Sequence, residues 1–247
     1  MPFIEAGGHQ LEYERIPGHP VIVFLHEGLG SVAMWKDFPR RLAEAAHCGT
    51  LVYSRHGYGR SEPLDAARAV DFMHQEAQSV LPELLAKLDI HRPILFGHSD
   101  GASIALIYAA AHPVRGTIVL APHLFVEEVS IACIGDIQHT YASGDLRKKL
   151  ARYHDHPDSV FRRWSDIWLN PDFRAWNIEN FLPQIKSPVL AIQGLDDQYG
   201  TMAHLERIAS HLPLTQLLKL PNCRHSPHID QPEAVIEASA RFIASLK

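Results

Sequence analysis

The chain has 247 residues, 46% hydrophobic and 21% charged, and a formal net charge of -5 at pH 7, enough for one large globular core carrying at most a modest insertion. That charge gives no basis for a nucleic-acid partner, and the short basic runs at 147–149 and 162–163 have acidic residues nearby, as solvated faces do. No stretch approaches the roughly 18 apolar residues of a membrane span, residues 1–6 lack a signal-peptide pattern, and Cys48, Cys133 and Cys223 show no paired spacing, so the expected location is the cytoplasm.

The predicted elements begin with a short strand over 10–16 that pairs with residues near the N-terminus. The uninterrupted apolar run 21–25 reads as a strand buried on both faces, and it ends in the glycine-bearing loop His26-Glu27-Gly28-Leu29-Gly30-Ser31. A helix over 35–47, a strand over 50–53 and a turn over 55–61 follow. Helical periodicity runs from 72 to 88, with Pro82 expected to break or kink it. Next come a strand over 93–96, a helix over 102–111 and a strand over 117–121. This alternation predicts a mainly parallel sheet covered on both faces.

The rhythm fails between about 123 and 183, which holds Trp164, Trp168 and Trp176, many charges and helical runs. Alternation then resumes with a strand over 188–193, a helix over 202–211, a strand over 216–220 and a closing helix over 233–246. The division predicted is a core of 1–123 with 183–247, and a helical lid of 124–182, some of whose tryptophans line an apolar pocket.

The most informative segment is Gly97-His98-Ser99-Asp100-Gly101, set between a buried strand and a helix. A serine at the apex of so tight a turn is held clear of the sheet, and flanking glycines let strand and helix approach. Its hydroxyl is a poor nucleophile until a base takes the proton, and the base needs an orienting carboxylate. In such an architecture the order is serine, acid, histidine. Asp196 and Asp197 follow the strand over 188–193, and His225 and His228 lie in the loop after the last strand. Both loops project from the C-terminal edge of the sheet, where open α/β sheets place their sites.

These residues resemble the α/β-hydrolase fold family over nearly the whole chain, specifically its lid-bearing esterases, lactonases and C–C bond hydrolases. The resemblance implies a mostly parallel eight-stranded sheet with an inserted helical lid. It also implies that Asp197, last residue of Gly194-Leu195-Asp196-Asp197, is the acid and Ser99 the nucleophile. His225 is the base, although Arg224 stands where the family has glycine. His228 is then left to bond within its loop or face solvent. The oxyanion hole would use the backbone N–H groups of Asp100 and Gly28, with Leu29 the competitor because Glu27 occupies a position where glycine is common. His26 is expected to brace this loop, and the turn over 55–61 resembles a family turn that buttresses the site.

The sequence points to no cofactor, since it has neither a dinucleotide fingerprint nor a phosphate-binding loop. Seventeen histidines invite a metal, yet no metal-ligand spacing occurs, so none is expected. Cys223 is badly placed for a nucleophile. The expected partner is a small-molecule substrate, a homo-oligomer being compatible with the fold and a membrane not indicated. Glu27, Leu29, His123, Trp164 and Trp168 are the candidate substrate-binding residues. Ser99-Asp100-Gly101 resembles valacyclovir-hydrolase-like aminoacyl-ester hydrolases; carboxylates at Asp100 and Glu27 are expected to disfavour anionic substrates, the alternative for Asp100 being hydrogen bonds that shape the turn. The reading that follows is hydrolysis of esters or lactones by Ser99, with cleavage of a C–C bond or of an aminoacyl ester or amide as alternatives.

Overall fold

Apolar runs too short for helices become the strands of one eight-stranded sheet in a computed structural model that describes residues 2–246. The strands are β1 (Phe3–Ala6), β2 (His9–Ile16), β3 (Val21–Leu25), β4 (Gly49–Tyr53), β5 (Ile94–His98), β6 (Gly116–Leu120), β7 (Val189–Gly194) and β8 (Thr215–Leu220). Their order is β1-β2-β4-β3-β5-β6-β7-β8. β1 and β2 are antiparallel, whereas β4, β3, β5, β6, β7 and β8 are mutually parallel. Every residue of β3 to β7 is buried, as a sheet with two covered faces requires. The fold is that of an α/β hydrolase, as the sequence resemblance implied.

One face is covered by α1 (Phe38–Ala46) and the closing helix, whose Phe38, Leu42, Val235 and Phe242 pack on Ile22, Phe24 and Phe96. The other is covered by α2 (Phe72–Gln75), α3 (Leu81–Lys87) and α4 (Asp100–Ala111). Residues 72–87 stay helical through a π-helical turn at Glu76–Val80, and Pro82 follows in the first turn of α3. There its missing N–H interrupts nothing, so the expected break becomes a local widening. The helix expected over 35–47 starts later, as α1, and a separate 3-10 turn, Val32–Trp35, precedes it.

Between β6 and β7 lie α5 (Glu128–Thr140), α6 (Leu146–Leu150), α7 (Pro157–Leu169) and two 3-10 turns. In α7 the buried Val160, Phe161, Trp164, Ile167 and Trp168 form a helical stripe, which joins the same apolar cluster as α4. The remaining helices are α8 (Ala203–His211), α9 (Pro227–Asp230) and α10 (Pro232–Ser245). Among the described residues no helix is long and apolar enough to cross a membrane.

Register brings the loops together. Gly97 of β5 is opposite Leu25 of β3, which sets Ser99 beside the loop that starts at His26. Gly194 of β7 is opposite Leu220 of β8, which sets Asp197 beside the loop that carries His225.

Candidate active site

β5 ends at His98 and α4 begins at Asp100, so Ser99 alone makes the turn, with φ 53° and ψ -118°. A non-glycine residue pays conformational strain there and holds it only if its surroundings fix it. Part of that fixing is the Ser99 N–H, which donates to the Leu120 carbonyl of β6 at 2.9 Å. The two glycines are demanded by close approach. A Cβ on Gly97 would sit 2.3 Å from the Gly101 carbonyl oxygen, and one on Gly101 would sit 2.0 Å from that of Leu25.

Ser99 Oγ lies 3.0 Å from His225 Nε2, and His225 Nδ1 lies 2.8 and 3.0 Å from the two Asp197 oxygens. A carboxylate only accepts, so Nδ1 carries the proton and Nε2 presents its lone pair to the hydroxyl. Asp197 also accepts from the Tyr199 N–H at 2.8 Å and from Gln193 Nε2 at 3.1 Å, which fix the plane of the carboxylate. Burial pushes the Asp197 pKa up, but the hydrogen bond and charge of His225 more than offset it and hold the group below the usual range. Asp196 is exposed, and its backbone N–H goes to the Cys223 carbonyl. Of the two candidate acids, only Asp197 meets His225.

Among the described residues, the N–H groups of Gly28, Leu29 and Asp100 have no hydrogen-bond partner, so Asp100 and either residue of the Gly28-Leu29 pair are free to face a developing oxyanion. Their loop is braced from three sides. His26 is fully buried, donates from Nδ1 to the Glu27 carbonyl at 2.7 Å and accepts the Arg55 N–H at 3.1 Å. Burial and the nearby Arg55 charge push its pKa well below the ordinary imidazole value and keep it neutral. Arg55 also donates to the Glu27 carbonyl at 2.9 Å, and its guanidinium lies 3.8 Å from the Asp100 carboxylate. His154 donates to the Leu29 carbonyl at 2.8 Å while accepting the Gly59 N–H at 2.9 Å. The turn over 55–61 therefore buttresses this loop physically.

A cavity of about 280 Å³ opens onto Ser99 and His225, walled by Glu27, Gly28, Leu29, His123, Trp164 and Trp168 together with residues of α5 and α6. Trp164 packs so closely on Gly28 that a Cβ there would lie 2.1 Å from the indole nitrogen. Trp176 stands outside the cavity wall and stacks on Phe173.

Two expectations are corrected. The Asp100 carboxylate does not face the cavity: it is 1% exposed, accepts from Trp168 Nε1 at 3.3 Å and neighbours Arg55, because α4 turns it into the core. Its pKa is raised by burial, with Arg55 opposing. His228 neither faces solvent nor bonds within its loop. Its ring is buried against Trp35, Phe38 and His98, and burial with the His98 charge pushes its pKa down to about 3.

Sequence reasoning missed His98. It donates from Nε2 to the His225 carbonyl at 2.7 Å, and its Nδ1 is 3.5 Å from Glu27 Oε2. Burial pushes the Glu27 pKa up, but the imidazoles around it, His98 foremost, more than offset this and hold the group below the usual carboxylate range. The only available signal was that Glu27 follows β3 and His98 ends β5, strands that neighbour one another in such a sheet.

The alpha/beta hydrolase family matches residues 22–238. The chain is 26% identical over 240 residues to human serine hydrolase BPHL, covering 92% of this chain and 80% of that protein. It is 23% identical over 256 residues to a 2-hydroxy-6-oxononadienedioate/2-hydroxy-6-oxononatrienedioate hydrolase of Comamonas testosteroni, covering 91% and 87%. The solved enol-lactonase of Burkholderia xenovorans LB400 superposes with a TM-score of 0.78 at 18% identity, covering 99% of this chain and all of that one.

Proposed function

The chain belongs to the alpha/beta hydrolase family, and from that premise we propose that it is a serine hydrolase cleaving small-molecule carboxylic esters or lactones through an acyl-enzyme. The observation that carries this reading is the unbroken chain of short contacts from Ser99 through His225 to Asp197 at the mouth of the cavity. Ser99 attacks the carbonyl carbon as His225 Nε2 takes its proton, and the imidazolium so formed is stabilised by Asp197. The carbonyl oxygen, now negative, receives the N–H groups of Gly28 and Asp100. Collapse of the tetrahedral adduct expels the alcohol, which His225 protonates. Water, activated by the same imidazole, then releases the acid. In a lactone the alcohol stays tethered to the acyl chain, so the same steps open the ring.

Residues 124–182 act as the lid of this site, supplying the wall formed by Ile134, Leu146, Leu150, Trp164 and Trp168. The wall is apolar apart from a few groups; among the described residues that line it Glu27 is the one carboxylate, with His98 3.5 Å from it, and neither Lys nor Arg contributes. An ionised Glu27 disfavours an anionic acyl group and favours an ammonium, which supports aminoacyl esters as a second reading. The same charge weighs against a dianionic substrate of the kind named for the Comamonas testosteroni relative.

The test is a set of matched cationic, neutral and anionic chromogenic esters, lactones and a dienoic diketone. The cationic ester should exceed the anionic one in kcat/KM by about tenfold, roughly 1.4 kcal/mol, with the gap shrinking at high salt and in Glu27→Gln. Turnover of the diketone alone would transfer the site to C–C bond cleavage. Preference for the anionic ester, unchanged by Glu27→Gln, would remove Glu27 from substrate selection.

A further inference from the structure

We propose that His9, His56 and Glu62 form a binding site for a divalent transition-metal ion, zinc being the best match to its donor set. One ligand atom from each of the three lies within 4.8 Å of the others, although they come from different parts of the chain: His9 opens β2, and His56 and Glu62 stand on the loop after β4. Around a tetrahedral zinc with bonds of about 2.1 Å, neighbouring ligand atoms are about 3.4 Å apart. The contraction required is therefore at most about 1.4 Å, the difference between 4.8 Å and that spacing. His9 and His56 are partly exposed and Glu62 is exposed, so the side chains have room to make it. The rings stack, with centroids 3.5 Å apart and planes 14° from parallel, which holds the two imidazoles side by side at the carboxylate.

The surroundings already organise the donors. His56 Nε2 is 3.1 Å from the Pro63 carbonyl, which can only accept, so Nε2 carries the proton and Nδ1 keeps its lone pair. A carbonyl on the second ring nitrogen is the usual outer support of a metal-ligating histidine. The Glu62 carboxylate is held by the Gln10 N–H at 3.1 Å through one oxygen and faces His9 Nδ1 at 3.0 Å through the other. An ion that takes this second oxygen and a nitrogen of His9 replaces that single hydrogen bond by two coordinate bonds. A cleft of about 510 Å³ opens beside the three residues and leaves space for water in the fourth position. The nearest cation on the cleft wall is Arg68, which bonds the His56 carbonyl and lies over the rings of Tyr58 and Phe72.

The site is separate from the cavity at Ser99, since none of its three residues lines that cavity. Its effect is mechanical. It ties the β1–β2 hairpin to the loop that carries Arg55, and Arg55 holds the Glu27 carbonyl. Ester hydrolysis by Ser99 does not need the ion.

The experiment uses tag-free, chelator-stripped protein titrated with zinc chloride by calorimetry, alongside thermal melts. The expected result is one ion per chain and a rise in Tm of about 5 °C at a hundredfold excess over Kd. His56→Ala and Glu62→Gln should each weaken uptake at least about tenfold while retaining a cooperative melt without metal. The exposed His91, bonded only to Asp89, is the control, and His91→Ala should bind zinc as the parent does. No uptake at millimolar zinc would overturn the proposal. So would uptake undiminished in both His56→Ala and Glu62→Gln, which would mark an adventitious ion at other histidines.

Discussion

At the scale of single residues, the site depends on which of two adjacent carboxylates reaches the imidazole. Asp197 meets His225 through both oxygens, whereas Asp196 points to solvent. Asp197→Asn preserves the shape but offers Nδ1 a group that can also donate, so the imidazole loses its enforced tautomer. Ester turnover should fall by about 10⁴-fold, against less than about threefold for Asp196→Asn. Steady-state kinetics of the two variants side by side decides it, and the reverse ranking would give the orienting role to Asp196. That Ser99, Asp197 and His225 come together at one edge of the sheet was legible, because each follows a strand near the end of its run. The supports were not. His98 reaches the His225 carbonyl across 127 positions of chain, and His154 reaches Leu29 across 125. Such pairings depend on strand order and helix placement, which no local pattern encodes. Which way the Asp100 carboxylate turns, into the cavity or into hydrogen bonds of the turn, was not legible for the same reason, because Arg55 and Trp168 from distant segments set it.

At the scale of elements, the parallel strands were readable because burial on both faces leaves continuous apolar runs, while short irregular helices carry no comparable period. Residues 76–80 thus became a π turn inside a stretch that looked uniformly helical, and the helix expected from 35 begins only at Phe38, after a 3-10 turn at Val32–Trp35. The segment between β6 and β7 was readable as helical, and its tryptophans pointed to an apolar wall, of which Trp164 and Trp168 line the cavity and Trp176 does not. Trp164 of α7 seals the cavity against Gly28. Trp164→Ala should therefore raise KM for short acyl esters by about tenfold and admit longer chains, at a stability cost of about 3–5 kcal/mol. Trp164→Phe, which keeps most of the packing, should show the same shift in chain-length preference more weakly. An unchanged chain-length profile in both variants would separate α7 from substrate selection.

At the scale of the whole molecule, stability is coupled to pH by imidazoles that folding removes from water. His26, His123, His154 and His228 all have lowered pKa values, and burial is the largest cause for each. Their folded values lie below the unfolded value of about 6.5, so the unfolded chain binds more protons as the solution is acidified. Stability is then fully present above about pH 6.5 and declines as pH falls below it; for His228 the decline continues to about pH 3. Urea midpoints measured from pH 8 down to 5 should stay level and then drop, and a midpoint that rises on acidification would contradict this assignment.

The central claim is that Ser99 forms the covalent intermediate, held at its strained turn within 3.0 Å of His225. A fluorophosphonate reacts with an activated serine and stays bound, so intact-mass analysis followed by peptide mapping tests the claim directly. One adduct per chain is expected, located on Ser99, with no adduct and at least about 10⁴-fold less ester hydrolysis in Ser99→Ala. An adduct on another residue, together with undiminished hydrolysis by Ser99→Ala, would contradict it.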